Sequence, residues 1–400
     1  MADNKQNTNP NVPNLRFPEF SEDWVQYKCS DLLEFYSTNS LSWEQLDYDN
    51  NDLLNLHYGL IHVGLPTLVN VEQHNLPSVK PEFKPKNYTL CKSGDIAFAD
   101  ASEDTNEVAK PIEFYDCSDK QVVCGLHTIH GRDKLNATEI GFKGYAFSSM
   151  PFHHKIRRLA QGSKIYSISS KNFSEVTIGI PPKEEQRKIV DLLSKLEERI
   201  TTQNKIIQQL QSLIKGIRYI IYTQLDCEWI QLSNLVVKGL ITLKRGNVIP
   251  KYEYSDEYCY PVYSSSTQNG GLMGYFNTYM FDKSLISWSI DGGGNFFYRD
   301  KHKFNVTNVC GYLEADESKF DYRFISELLI YQHSRMVFDY QTKAHPSVIE
   351  AMYYLPILDL EKQQCYSKLF EHIYDKLDRE TSLLNKYEEQ KKFLLSNMFI

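Results

Sequence analysis

The sequence has no long apolar run. None of its 400 residues belongs to a stretch of about 18 consecutive apolar residues, the length of a membrane-spanning helix. The start of the chain also lacks the short apolar core of a secretory signal. These absences predict a cytoplasmic protein with no membrane segment. The formal net charge of −7 excludes a chain that attracts polyanions as a whole, so any basic surface must be local.

Paired cysteines are absent as well. The eight cysteines, at positions 29, 91, 117, 124, 227, 259, 310 and 365, include no C-x-x-C pair. That spacing is typical of zinc knuckles and thioredoxin-like sites, so neither is predicted, and no metal site is expected. The cysteines are interpreted as reduced, mostly buried thiols.

Catalytic signatures are absent too. The sequence has no G-x-x-x-x-G-K-[ST] phosphate loop, no H-E-x-x-H zinc motif, no kinase set and no G-x-S-x-G elbow. A DNA methyltransferase would need a glycine-rich cofactor turn and an Asn/Asp-Pro-Pro-aromatic tetrapeptide, and neither occurs. Four acidic residues, Asp95, Asp100, Glu103 and Asp104, are interpreted as a strand end and a solvated acidic loop. No catalytic residue is predicted.

The chain contains an internal repeat. Two long helical segments align when Gln186 is matched with Gln363, an offset of 177 residues. In both, apolar residues alternate at spacings of three and four, which is the heptad pattern of a coiled coil. A polar residue interrupts the pattern at the same point in each helix, Gln203 in the first and Glu380 in the second. The predicted seam of this antiparallel pair is Leu193, Leu196, Ile200, Gln203, Ile207, Leu210, Ile217, Phe370, Ile373, Leu377, Glu380, Leu384, Tyr387 and Leu394.

The regions before the helices repeat less closely. Trp24-Val25-Gln26 matches Trp229-Ile230-Gln231, and Val123-Cys124-Gly125 is matched with Val309-Cys310-Gly311. The predicted fold class is therefore α+β: two mixed α/β globular units separated by two long helices, with a pseudo-twofold internal repeat. The predicted boundaries are a disordered leader at 1–14, a first unit at 15–181, a first helix at 182–225, a second unit at 226–357 and a second helix at 358–400. Strands are predicted at 95–99, 122–129, 176–180, 260–264, 285–290 and 306–313, and a helix at 322–338.

Basic residues cluster locally in both units, interleaved with aromatic and amide side chains. Lysine and arginine can neutralise phosphates, whereas asparagine, glutamine and arginine can read base edges. A solvated surface is the alternative for any single cluster, but the pairing across two repeats favours duplex DNA. Two similar units on a rigid spacer could read two half-sites about one helical turn apart. The candidate DNA contacts are Lys84, Lys86, Lys155, Arg157, Arg158, Gln161, Ser163, Lys164, Lys251, Tyr263, Ser264, Ser265, Gln268, Asn269, Arg299, Gln341, Thr342 and Lys343.

Three segments together resemble a known family. They are Leu15-Arg16-Phe17-Pro18-Glu19-Phe20 followed by Trp24, the Ile180-Pro181-Pro182 boundary with Gln186, and the run from Pro261 to Gly271. In combination they resemble the specificity subunit of a type I restriction-modification system, over residues 14–400. The second boundary, Leu355-Pro356-Ile357-Leu358, departs from the family pattern by lacking a double proline.

The resemblance implies that each globular unit is a target recognition domain for half of a split, asymmetric DNA sequence. The helices would dock two methyltransferase subunits, which bind S-adenosylmethionine and methylate adenine. Two motor-nuclease (restriction) subunits, which use ATP and Mg²⁺, would join them in host defence. This chain would then hold no cofactor and carry no catalysis. The alternatives are a coiled-coil adaptor that presents two modules to proteins and, with least support, a hydrolase that uses the acidic cluster.

Overall fold

The computed structural model describes residues 9–266, 268–291, 293–336 and 343–400, and all of their side chains except that of Tyr252. The chain divides into two compact units. Unit 1 comprises Met1–Thr202 and Leu384–Ile400, and unit 2 comprises Gln203–Leu383. Each unit therefore contains one globular region and a part of both long helices.

Unit 1 is a mixed α/β structure. Its elements before the first long helix are β1 (Val25–Lys28), α1 (Cys29–Leu32), β2 (Leu33–Tyr36), β3 (Leu46–Asp47), β4 (Leu54–Leu56), α2 (Tyr58–His62), β5 (Leu68–Asn70), β6 (Ser78–Val79), β7 (Ile96–Ala99), β8 (Ala101–Ser102), β9 (Pro111–Asp116), β10 (Val122–Cys124), β11 (Thr128–Asp133), α3 (Phe142–Phe147), α4 (Met150–Arg157), β12 (Tyr166–Ser167), α5 (Ser170–Ser174) and β13 (Thr177–Ile180).

Unit 1 contains a main sheet with the order β2-β11-β7-β9-β5 and a second sheet with the order β10-β4-β6-β3. In the main sheet, β11 is antiparallel to both β2 and β7, whereas β5 is parallel to β9. Phe98, Phe147 and Phe173 pack together on the helical side, and Trp24 packs edge-on against Phe142. This aromatic core joins the main sheet to the helices of unit 1.

Unit 2 repeats the plan of the main sheet. The next elements in the chain are α6 (Lys183–Gln224), β14 (Trp229–Gln231), α7 (Leu232–Val237), β15 (Ile241–Arg245), β16 (Tyr260–Tyr263), β17 (Leu272–Phe276), β18 (Phe281–Ser289), β19 (Phe296–Val306), β20 (Cys310–Ala315), α8 (Tyr322–His333), α9 (Pro346–Met352), β21 (Tyr354–Pro356) and α10 (Leu360–Asn397).

The sheet order in unit 2 is β15-β20-β18-β19-β16-β17. Its first five positions correspond one by one to β2, β11, β7, β9 and β5 of unit 1. The pairings agree, because β20 is antiparallel to β15 and β18, and β16 is parallel to β19. A short antiparallel pair also closes each unit, β1 with β13 and β14 with β21. The structure thus confirms the mixed α/β fold and the internal repeat.

The long helices α6 and α10 pack on each other within each unit. In unit 1, Leu193 and Leu196 share a buried cluster with Leu394, and Ile200 and Tyr387 lie at its edge. In unit 2, Leu210 is buried in one cluster with Phe370 and Ile373, with Ile217 and Leu377 packed against it. Gln203 is 5% exposed and donates from Nε2 to the backbone and side-chain oxygens of Glu380, at 3.0 and 2.5 Å. The predicted polar seam residues therefore bond to each other. Ile207 and Leu384 are half-buried.

The start of α6 is fixed by a buried glutamine. Gln186 donates from Nε2 to the carbonyls of Pro181 and Ala137, at 2.8 and 2.9 Å, and accepts from the Glu139 N–H at 2.7 Å. These bonds satisfy backbone groups at a helix N-terminus that would otherwise lose their partners.

Gln363 makes the same three kinds of bond in α10. It donates to the carbonyls of Leu358 and Lys319, at 2.7 and 2.8 Å, and accepts from the Asp321 N–H at 3.0 Å. Gln186 and Gln363 are 0% and 1% exposed. The alignment of these two glutamines by sequence therefore identified one structural device that is used twice.

The N-terminal motif that begins at Leu15 holds the first turn of α6. Arg16 forms a bidentate ion pair with Glu185, with Nε–Oε1 at 2.8 Å and Nη2–Oε2 at 2.7 Å. Lys188 lies over the rings of Phe17 and Phe20, which gives the motif's aromatic residues a cation–π partner. The motif therefore anchors the N-terminal end of α6.

Five predictions about the fold need correction. Residues 9–14 of the supposed disordered leader have a defined conformation, and the Trp24 N–H donates to Asn11 O at 2.9 Å. The strand predicted at 122–129 is two strands, β10 and β11, because His127 turns with a φ of 54°. The strand predicted at 306–313 is likewise split between β19 and β20.

The fourth correction concerns the match of Val123-Cys124-Gly125 with Val309-Cys310-Gly311. Cys124 lies on β10 and pairs with β4 in the second sheet, whereas Cys310 lies on β20 of the main sheet. The strand of unit 1 that corresponds to β20 is β11, so the two triplets are not equivalent. The helix predicted at 322–338 is α8, which ends at His333, and residues 337 and 338 lie outside the described part of the chain.

Candidate nucleic-acid interface

A tight loop in unit 1 presents several of the predicted contacts. Residues 161 and 167 pair in both directions, with N···O distances of 2.9 and 2.8 Å. Gly162 has a φ of 143°, and a Cβ there would lie 1.9 Å from the Ile165 carbonyl oxygen, so only glycine fits. The closed loop exposes three candidates to solvent, Gln161, Ser163 and Lys164, and Arg158, which precedes the loop, is exposed as well.

Two neighbouring basic residues bond within the protein. The Lys155 ammonium donates to the Thr177 carbonyl at 2.9 Å, and burial lowers the pKa of Lys155. Arg157 donates from Nη1 to Asn106 Oδ1 at 2.9 Å. Contact of either residue with a phosphate would require these bonds to break, so both serve the fold of unit 1 in this structure.

Lys84 and Lys86 are exposed beyond the turn at Pro81–Phe83. The preceding residue, Lys80, donates from its ammonium to the Glu44 carbonyl at 2.6 Å, which ties the turn to unit 1. These two lysines therefore lie on a short anchored segment where cations can meet a phosphate.

A cleft of about 690 Å³ next to the tight loop was missed by sequence reasoning. Its walls come from α2, from β8 and the loop after it, and from Ile165, whose side chain is 63% exposed. Tyr58 packs edge-on against His127, with ring centroids 5.3 Å apart. No sequence signal groups these residues, because they come from four separate segments, of which His127 is one.

His62 and Lys110 of the cleft both contact Glu107. His62 Nδ1 lies 3.6 Å from Glu107 Oε2, and Lys110 Nζ lies 2.7 Å from the same oxygen. The interaction with His62, together with Lys110, lowers the pKa of Glu107 to about 2, and Glu107 in turn raises the pKa of His62. Burial raises the pKa of Asp100, which contacts His127 Nδ1 at 3.1 Å. The cleft thus offers aromatic faces and carboxylate acceptors.

The acidic cluster differs from its prediction at one residue. Glu103 and Asp104 are exposed, as expected of a solvated loop, but Asp95 is only 1% exposed. It accepts from Arg132 at two positions, each at 2.7 Å, and from His130 Nε2 at 2.8 Å. Although burial alone would raise it, these hydrogen bonds hold the pKa of Asp95 below its usual value. Asp95 is a buried structural carboxylate.

In unit 2 the candidates lie on and around the loop between β16 and β17. Ser264 bonds to Thr307 through its hydroxyl at 2.9 Å, and the Ser265 carbonyl accepts from the Ser289 hydroxyl at 2.8 Å. Tyr263 bonds to His302 Nε2 at 3.1 Å. These three residues are half-buried, while Gln268 and Asn269 are exposed at the tip of the loop.

The buried side chain of Arg299 bonds to the loop between β16 and β17. It is 6% exposed, donates from Nη2 to the Gly270 carbonyl at 2.7 Å and from Nε to Ser287 Oγ at 2.8 Å, and lies 3.6 Å from the centroid of the Tyr263 ring. Burial lowers the pKa of Arg299 to about 10. The sequence predicts that Arg299 contacts DNA. In the structure, its guanidinium group instead bonds to other groups of the protein.

The remaining candidates of unit 2 lie on other segments. Lys251 is exposed. Lys343 is exposed and pairs with Asp291 at 2.9 Å, and the next residue is anchored because Trp288 Nε1 donates to the Ala344 carbonyl at 2.7 Å. Gln341 and Thr342 lie outside the described residues.

Among the helices of the described residues, none has the length and apolar character of a membrane span.

The mixed α/β repeat with two long helices is also the fold of two solved proteins. One is a type I restriction-modification system S subunit from M. genitalium, with a TM-score of 0.63 and 17% identity, covering 97% of this chain and 99% of that one. The other belongs to a structural study of complex assembly and conformational transition in the type I restriction-modification system, with a TM-score of 0.56, 11% identity and coverage of 93% and 96%. The fold is therefore that of a type I S subunit.

Sequence comparison extends this from the fold to the family. The family model described as the type I restriction modification DNA specificity domain matches residues 118–212 and 234–389, more than half of the chain. The chain therefore belongs to the family of type I restriction-modification specificity subunits, as the resemblance predicted. DNA target recognition is the general role of this family.

Curated proteins with similar sequences also carry the name of type I specificity subunits. The MpnII type I restriction enzyme specificity subunit of Mycoplasma pneumoniae is 35% identical over 102 residues, which are 25% of this chain and 31% of the relative. A second M. pneumoniae type I specificity subunit is 30% identical over 168 residues, which are 41% of this chain and 68% of the relative. A third is 35% identical over 112 residues, and that match spans only 36% of the relative's own length.

Proposed function

We propose that this chain is the DNA-reading subunit of a cytoplasmic type I restriction-modification complex and that it selects a split, asymmetric duplex target. The observation that carries the proposal is the duplicated main sheet with dissimilar loops. Two sheets with one strand order carry an aromatic cleft and a tight loop in unit 1 and a serine- and glycine-rich loop in unit 2. Because the two sets of loops differ, the two half-sites should differ in sequence.

In unit 1, Lys84, Lys86, Arg158 and Lys164 would hold phosphates, since they are exposed. The nearby cleft contains the acids Asp104 and Glu107, which would repel a phosphate. Carboxylates instead accept hydrogen bonds from the cytosine amino group, and aromatic or aliphatic side chains contact bases. The cleft would therefore meet base edges.

In unit 2, Gln268 and Asn269 would reach the bases from the loop tip, where amide side chains can bond adenine at two positions. Lys251 and Lys343 would contact the backbone of the duplex. Arg299, Tyr263, Ser264 and Ser265 would set the shape of the loop, and that shape would determine which bases Gln268 and Asn269 can reach.

The long helices would dock the partner subunits. Leu213, Tyr219 and Ile220 of α6 are each about half exposed, and Leu369 of α10 is 45% exposed. In unit 1, Phe393 of α10 is 58% exposed. Apolar residues on the outside of a helix pair suit a protein partner. Two methyltransferase subunits would bind here, and two motor-nuclease subunits would join that complex.

Catalysis would belong to those partners. S-adenosylmethionine would be bound by the methyltransferase subunits, and ATP with Mg²⁺ by the motor-nuclease subunits. The curated relatives carry the name of specificity subunits, which supports a non-catalytic role for this chain.

The test is a genome-wide map of adenine methylation in methylation-free cells that express this chain with its neighbouring methyltransferase. We expect one split, asymmetric motif that is absent when the methyltransferase is expressed alone. A chain with unit 2 loop residues Gln268 and Asn269 changed to alanine should alter or lose one half of the motif and leave the other half unchanged.

The adaptor alternative predicts a different outcome. If the methyltransferase is folded and bound to this chain but no motif appears, the chain presents partners without reading DNA. Loss of both half-sites in the Gln268/Asn269 variant, with the complex still assembled, would contradict the division of the target between the units.

A further inference from the structure

Three buried side chains of unit 1 meet at the boundary of its two sheets. Cys91 follows the segment with Lys84 and Lys86, Cys124 ends β10 of the second sheet, and His130 lies on β11 of the main sheet. One potential ligand atom from each lies within 4.8 Å of those of the other two. The two Sγ atoms are 3.5 Å apart. The residues are 5%, 2% and 0% exposed, so water does not compete for this position.

The histidine has one ring nitrogen held by the protein and the other buried without a hydrogen-bond partner in the described part of the chain. Its Nε2 bonds to Asp95, which Arg132 and the Lys92 N–H also hold, so the carboxylate is fixed and charged. A carboxylate can only accept, so in the neutral imidazole Nε2 carries the hydrogen and Nδ1 carries a lone pair. Among the described residues, Nδ1 is buried without a hydrogen-bond partner. A carboxylate behind one ring nitrogen is the usual arrangement around a histidine that binds metal through the other nitrogen.

The sulfur spacing fits the same chemistry. Zinc binds thiolates at about 2.3 Å in a tetrahedral arrangement, which separates two sulfurs by about 3.8 Å. The observed 3.5 Å is close to that separation. Both cysteines would bind the cation as thiolates, which the cation itself stabilises.

We infer that Cys91, Cys124 and His130 form a structural site for a thiophilic divalent cation of the zinc class, with Asp95 orienting the histidine. Cys117 belongs to the same buried cluster and is the candidate for the fourth ligand. The ligands come from the loop before β7 and from both sheets of unit 1. The cation would therefore fasten the two sheets together and anchor the end of the segment that carries Lys84 and Lys86.

The experiment measures metal in the untagged full-length chain, expressed with zinc and dialysed, by plasma mass spectrometry. We expect about one zinc per chain, as for a closed structural site. The variants Cys91→Ser and Cys124→Ser should retain less than about a fifth of that, because the hydroxyl is a poor zinc ligand. Cys29→Ser is the matched control: Cys29 is another buried cysteine of unit 1, lies outside the cluster, and its loss should leave the zinc content unchanged.

A second measurement keeps the inference testable if the serine variants do not fold. Metal-free wild-type chain titrated with Co²⁺ should develop the thiolate charge-transfer and tetrahedral visible bands, and removal of zinc by a chelator should lower the melting temperature by about 5 °C or more. A wild-type chain that takes up no zinc or cobalt, serine variants that keep their zinc, or a Cys91–Cys124 disulfide in freshly purified protein would each overturn the inference.

Discussion

The two units share a framework, which consists of the five-stranded order of the main sheet, a closing strand pair and a buried glutamine. They differ in the strands and loops outside this framework. Both have the same five strand positions, the same closing pair before each long helix and the same buried glutamine at the helix start. Unit 1 adds the second sheet β10-β4-β6-β3, whereas unit 2 extends its main sheet with β17. The shared part includes the bonds that fix the start of each long helix, so it positions the helices. Under the proposed function, the loops that differ between the units would carry recognition.

The largest expected effect tests the shared part. Gln186→Ala and Gln363→Ala should each destabilise the chain by about 2–4 kcal/mol, because each leaves buried backbone groups without partners. The two losses should be equal within about 1 kcal/mol if the glutamines are equivalent. Unfolding in urea measures both, with the exposed Gln208→Ala as a control that stays close to wild type. A loss in only one variant would break the equivalence.

A smaller effect is expected at the polar seam position. Gln203→Ala removes the bonds to Glu380 and leaves a half-buried carboxylate without its donor, so stability should fall by about 1–3 kcal/mol. The exposed neighbour Thr202 provides the control variant Thr202→Ala. Urea unfolding again gives the numbers. An unchanged midpoint for Gln203→Ala would show that the seam is held by its apolar residues alone.

The third prediction compares the proposed DNA contacts of the two units. Lys164→Glu and Lys343→Glu should each weaken duplex binding by the assembled complex about tenfold and reduce its salt dependence. The loss should be greater for Lys343→Glu, because its new carboxylate would repel Asp291 and disturb the loop. Fluorescence anisotropy at several salt concentrations measures both quantities. Lys120→Glu and Lys319→Glu are controls at exposed positions in the two units. If Lys164→Glu or Lys343→Glu binds DNA as tightly as its control, that lysine is not part of the interface.

The smallest effect is a pH dependence specific to unit 1. The pKa of Glu107 is lowered from 4.5 to about 2, so its stabilising interaction is complete above about pH 4.5 and is lost as the pH falls toward 2. Glu107→Gln should therefore make stability less sensitive to pH in that range. Melting temperatures from pH 6 to about pH 2.5 test this. If the melting temperature of the variant falls as steeply at low pH as that of wild type, other carboxylates determine the loss of stability in acid.

Sequence reasoning succeeded where the pattern was long. The heptads predicted helices at 182–225 and 358–400, close to the observed α6 and α10, because a periodicity held over many turns is rarely accidental. The family resemblance also held, and the structure explains one of its motifs through the Arg16–Glu185 pair.

It failed where the signal was short or came from distant segments. Val123-Cys124-Gly125 was misaligned because a match of only three residues does not fix the register. The cleft around Tyr58 and the cluster of Cys91, Cys124 and His130 each join segments that only the fold brings together. Arg299 and Lys155 were assigned to DNA because charge alone does not show whether a side chain points inward.

The motif that begins at Leu15 also contacts the other long helix, because the Leu15 N–H donates to the Asn397 carbonyl at 2.8 Å, within unit 1. The same short segment therefore binds the first turn of α6 through Arg16 and the last turn of α10 through Leu15. Local opening of this segment would release both helix ends at once, so their amide hydrogens should exchange with solvent as one cooperative unit.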